Sequence, residues 1–106
     1  MIRAEVHRRG GRIVRLRVHG HADTAPYGQD LVCAAVSAIV QTAALGLGRL
    51  DTAAPPAEIG DGDVRWQGES GEAGQIILET CLIGLRDIAE SHPGALALVV
   101  KEDERP

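Results

Sequence analysis

DLVCAAVSAIVQTAALGLGRL, residues 30–50, is the stretch whose reading decides the fold. Its Leu, Val, Ile and Ala residues fall on nearly every side of a helix. A helix of that kind needs burial all round. A single sheet covers one face only, so a second helix or a partner subunit must cover the rest. Asp30 is the expected N-cap, because its carboxylate can accept from the free backbone N–H groups of the first turn. The segment DTAAPP, residues 51–56, then breaks the helix.

Working outward, residues 2–8 and 12–19 read as two strands. Gly10-Gly11 between them signals a tight hairpin. Gly20 ends the second strand, and HADTAPYGQ, residues 21–29, reads as a loop with Pro26 and Gly28. Downstream, short strands are expected near Ala57–Ile59 and Val64–Gln67, joined by Gly60-Asp61-Gly62-Asp63. A second helix follows from about Glu72 to Ser91, with a broad apolar stripe. His92-Pro93-Gly94 stops it, and Ala95–Val100 is the last strand before the charged tail KEDERP. The order ββαββαβ predicts one α+β domain over 1–106: two layers, a mostly antiparallel sheet with two helices packed on it.

The chain has 106 residues, 44% of them hydrophobic and 2% aromatic, so the core must be aliphatic. A net charge of −4 argues against a general nucleic-acid binder, and no direct nucleic-acid partner is expected. Six arginines nevertheless fall between Arg3 and Arg17. They read as a solvated strand face or as a cationic face near a binding groove. The apolar run Leu31 to Leu47 is interrupted and short for a membrane span, so no membrane partner is expected. Two cysteines and no visible secretory signal point to free thiols in the cytoplasm. His and Cys lack the close paired spacings of a zinc site, so neither metal nor cofactor is expected.

Cys33 is the candidate chemical centre. With Asp30 as N-cap it is the third residue of the helix, beside free N–H groups and the positive end of the dipole. That setting favours a thiolate and could hold an oxyanion. The plainer reading is a small apolar residue in the core. His21 follows Gly20 at the end of a strand, twelve residues before Cys33, and could serve as general base. His19 is a rival that periodicity does not separate from it. Ser37 lies one turn after Cys33 on the same face. Cys81 sits among apolar residues and reads as core.

The segment Gly20-His21-Ala22, with Tyr27-Gly28-x-Asp30-x-Val32-Cys33-Ala34-Ala35-Val36-Ser37 after it, resembles the signature of the ribosomal-processing cysteine proteases, the Prp family. The resemblance implies Cys33 as nucleophile, His21 rather than His19 as base, and Asp30 and Ser37 as supporting residues. It implies a substrate-binding loop with Gly20, Ala22, Tyr27 and Gly28. It further implies a homodimer whose substrate is the N-terminal extension of a large-subunit ribosomal protein precursor, the protein numbered twenty-seven. Asp23, Thr24, Ala25 and Pro26 depart from the family's glycine and aromatic at the start of this loop. The alternative is a non-catalytic, ribosome-associated module that binds basic peptide segments. A redox thiol protein would need a resolving C-x-x-C partner, which the chain lacks.

Overall fold

The computed structural model describes residues 1–20 and 27–103, with the backbone alone for 27–30 and 103. The elements are β1 (Ile2–Arg9), β2 (Arg12–His19), α1 (Tyr27–Leu50), β3 (Glu58–Gly60), β4 (Asp63–Gln67), α2 (Glu72–Ser91) and β5 (Leu96–Asp103). The strands form one sheet in the order β3-β4-β2-β1-β5. Every neighbouring pair is antiparallel except β1 and β5, which run parallel. This is the expected ββαββαβ α+β arrangement.

Alternation decides the faces. Ile2, Ala4 and Val6 of β1, Leu16 and Val18 of β2, and Val64 and Trp66 of β4 point to one side and are buried. Both helices cover that side. In α1 the buried stripe is Val32, Val36, Val40, Ala43 and Leu47, the spacing of one helical face. In α2 it is Leu78, Cys81, Leu82 and Leu85. The opposite side of the sheet carries Arg3, Glu5, His7, Arg15 and Arg17. The 20-residue stretch Leu31–Leu50 has a mean hydropathy of 1.9, enough by length and composition alone for a membrane span. Here its stripe packs on the sheet and on α2.

Two boundaries differ from expectation by more than one residue. The helix α1 begins at Tyr27, so Asp30 is its fourth residue and not its cap, and Tyr27, Gly28 and Gln29 are helical rather than loop. Strand β5 runs on to Asp103 and takes up Lys101 and Glu102 from the tail. Glu102 and Asp103 then lie opposite Arg8 and Arg9 of β1, so opposite charges support the extension. On the helix side, Arg8 also forks onto Glu79 of α2, with Nη2 donating to Oε2 at 3.2 Å.

The end of α1 and the start of α2 are joined by a buried carboxylate. Asp51 accepts from the N–H groups of Gly71 and Gly74, both at 2.8 Å, and of Ala53 at 3.0 Å. Gly71, the residue before α2, offers no side-chain cap of its own. A Cβ at Gly74 would sit 2.5 Å from Asp51 Oδ2, so the carboxylate reaches the helix only because that residue is glycine. Desolvation raises the pKa of Asp51, but the backbone donors outweigh it and hold the carboxyl below its ordinary value.

Candidate active site

Cys33 lies on the seventh residue of α1, in its second turn. The free N–H groups of that helix belong to residues 27–30. The first-turn argument for activating Cys33 therefore fails, because the dipole effect fades beyond the first turn. A helical Cβ tilts toward the N-terminus, which directs the Cys33 side chain back over residues 29 and 30. The side chain is half-buried and packs at the margin of the core. The packing reading therefore holds in part, since Cys33 touches the core without being fully enclosed by it.

What Cys33 meets is a cavity of about 180 Å³. Cys33, Ser37 and Gln41 of α1 line one wall, and His19 and Gly20 at the end of β2 line another. The third wall is the turn 60–64 between β3 and β4. Pairing of β4 with β2 brings that turn into place, with His19 opposite Asp63. Gly20 N–H donates to the Gly62 carbonyl at 3.2 Å and ties the strand end to the turn. Gly20 adopts φ +107, and a Cβ there would lie 2.6 Å from the Met1 carbonyl oxygen. No other residue fits this corner without moving backbone.

Ser37 is exposed, and its Oγ accepts from Gln41 Nε2 at 3.0 Å. Asp63 is paired with Arg17 (3.1 Å) and Arg65 (3.2 Å). The Arg17 hydrogen bond keeps the Asp63 carboxyl below its usual value, against an opposing desolvation effect. Cys81 is the contrasting thiol: burial pushes it up to about 11, which leaves it protonated and unreactive at neutral pH.

Of the site residues expected from sequence, the structure brings Cys33, Ser37 and Gly20 to one cavity. Tyr27, Gly28 and Asp30 lie in the first turn of the same helix. His21 and Ala22 lie outside the described residues. Gln41, Asp61 and Asp63 are additions that the sequence reading missed. The run Gly60-Asp61-Gly62-Asp63 was legible as a turn, but its place beside Cys33 depends on strand pairing across the sheet.

The family model described as cysteine protease Prp matches residues 1–97. The chain belongs to the Prp cysteine protease family. It is a cysteine-type peptidase, which displaces the non-catalytic binding module. Its curated relatives include the ribosomal processing cysteine protease Prp of Staphylococcus aureus, 29% identical over 86 residues, which span 77% of this chain and 81% of the relative. Among solved structures, a Streptococcus mutans protein superposes with a TM-score of 0.80 at 28% identity, covering 97% of this chain and 96% of the other. The S. aureus protease in complex with a substrate peptide gives 0.80 at 26% identity, covering 95% and 100%. The same enzyme with a covalently linked product peptide gives 0.78 at 27% identity, with the same coverage. The Gly20 corner, the Cys33 helix and the sheet order are thus read in a chain of known family.

Proposed function

We propose that this peptidase removes the N-terminal extension of a large-subunit ribosomal protein precursor, the protein numbered twenty-seven, with Cys33 as nucleophile and His21 as general base. The observation that carries the reading is Cys33 at the wall of a cavity whose opposite wall, His19-Gly20, runs straight into His21. His21 takes the thiol proton, and Sγ attacks the scissile carbonyl. The tetrahedral intermediate collapses to a thioester as the proton passes to the leaving amine. Water then attacks the thioester with His21 as base, releasing the acid and restoring the thiol. Ser37 and Asp30 act as supporting residues, and Gly20, Ala22, Tyr27 and Gly28 as the peptide-binding segment. Asp61 at the cavity adds local negative charge toward a basic ribosomal substrate, whereas Asp63 is taken up by Arg17 and Arg65. A reactive thiol of this kind suits the reducing cytoplasm.

The deciding experiment is cleavage of the precursor by wild type, Cys33→Ala, His21→Ala and His19→Ala. Cys33→Ala and His21→Ala should lower kcat/KM by roughly 10⁴-fold, and His19→Ala much less. Wild-type cleavage by Cys33→Ala or His21→Ala sinks the dyad. A greater loss in His19→Ala transfers the base to the neighbouring histidine.

The enzyme works as a homodimer in this reading. Leu31, Leu45 and Leu50 of α1, with Ile76 and Ile83 of α2, are each more than half exposed on the outer side of the helix layer. A second copy covering them supplies the burial that an all-round apolar α1 requires. Light scattering should give twice the chain mass for wild type and a single chain mass for Leu45→Asp. A monomeric wild type at micromolar concentration removes this element.

A further inference from the structure

Cys33, Ser37 and Gln41 follow one another at four-residue spacing along α1 and line the same wall of the cavity. The roles proposed above use Cys33 and Ser37 and leave Gln41 unassigned. Gln41 is nevertheless tied to Ser37, since its Nε2 donates to Ser37 Oγ at 3.0 Å.

A hydroxyl on a helix commonly donates to the carbonyl four residues before it. Thr80 does so in α2, with Oγ1 donating to the Ile76 carbonyl at 2.7 Å. Ser37 does not. Its Oγ accepts from Gln41 instead, and its O–H has no acceptor among the described residues, the Cys33 carbonyl included. A hydroxyl carries one proton and two lone pairs. With a lone pair held by the Gln41 amide, the proton is left for a group that enters the cavity. The oxyanion formed when Cys33 Sγ attacks a carbonyl is such a group. The N–H of Cys33 lies beyond the four free N–H groups at the start of α1, so it is taken up within the helix. The Ser37 hydroxyl stands one turn along on the same face.

We propose that Gln41 is a positioning residue for peptide cleavage: its side-chain amide holds the Ser37 hydroxyl as an acceptor, so that the Ser37 O–H donates to the oxyanion of the carbonyl attacked by Cys33. This role for Gln41 rests on the cleavage by Cys33 proposed above and gives Ser37 a stated task within it. Neither residue transfers a proton. The Ser37 hydrogen bond strengthens as negative charge develops on the carbonyl oxygen. Gln41 acts through Ser37 and touches no substrate.

The test is a double-mutant cycle on the full chain with Ser37→Ala, Gln41→Met and the pair. It is run on precursor cleavage and, in parallel, on acylation of Cys33 by p-nitrophenyl acetate, which needs only the nucleophile. Ser37→Ala should lower the rate constant by roughly 100-fold, the loss of one oxyanion donor. Gln41→Met keeps the length of the side chain and removes its donor. It should lower kcat by about fivefold with KM unchanged, the loss of one neutral hydrogen bond. Added to Ser37→Ala, it should have no further effect, whereas a merely structural role would add its own loss. Gln41→Glu can only accept from Ser37 and should cost at least as much as Gln41→Met. Wild-type rates in Gln41→Met or Gln41→Glu, or an undiminished loss from Gln41→Met in the Ser37→Ala background, overturn the role of Gln41 and leave the nucleophile standing. Ser37→Ala reacting as wild type withdraws the task of Ser37 and that of Gln41 with it. The expected pattern in the ester, with the precursor uncut by wild type, sinks the proposed substrate and upholds Gln41.

Discussion

The two ends of the helix layer are built on opposite terms. At one end Asp51 gathers backbone donors from three residues and locks the close of α1 to the opening of α2. At the other end α1 begins beside a cavity, with Cys33 half-exposed and the corner held by a glycine under conformational constraint. The first end spends polar groups on stability, and the second leaves Ser37, Gln41 and Asp61 facing a cavity. One end of the layer is clamped by a buried carboxylate, and the other borders a cavity.

The largest effect should come from Asp51→Ala. Three N–H donors lose their buried acceptor, and thermal unfolding should drop on the order of 10 °C. Cleavage per folded molecule should be unchanged at 25 °C. An unaltered melting temperature would break the comparison. Next, Gly20→Ala meets both the positive φ and the Met1 carbonyl, and should cost about 2 kcal/mol of stability. It should lower kcat by more than the folded fraction explains, because the strand end moves with it. Retained kcat in a destabilised protein would uncouple this corner from the chemistry.

Acid sharpens the contrast further. The Asp51 carboxyl is depressed in the folded state, so its stabilisation is fully present above the unfolded value of about 3.9. It is lost as pH falls through the lower folded value. Urea unfolding between pH 5 and 2.5 should show that loss in wild type and a flatter profile in Asp51→Asn. The smallest effect is in thiol labelling. Iodoacetamide at pH 7.5 should modify one thiol per folded chain, Cys33, and a second, Cys81, only in denaturant. Equal labelling of both in the native state would contradict the buried, protonated Cys81.

Much of this was legible in the sequence where the cause is local. Alternation gave β1 and β2, Gly10-Gly11 gave their turn, and the α2 stripe gave its span to the residue. Cys81 was also legible as core, since it lies mid-stripe. What was not legible depends on residues distant in sequence. Asp30 resembles an N-cap by type and position, yet the helix starts at Tyr27. The carboxylate at a helix start that the structure does describe is Asp51, which serves a helix twenty residues further on. Gln75 is another case. Its side-chain amide bonds both the N–H and the carbonyl of Ile13 at 2.8 Å, where a bulge interrupts the β1–β2 ladder. No local pattern marks either residue.

The parallel pairing of β1 with β5 sets the order in which the molecule can form. Ile2 meets Leu96, and Arg9 meets Asp103. The hairpin of β1 and β2 is local and can close early, but β1 stays an open edge until nearly a hundred residues have followed it from the ribosome. Such long-range closure slows folding. A sheet assembled in this way is complete only once its last strand has been made, however early the hairpin beside it has closed.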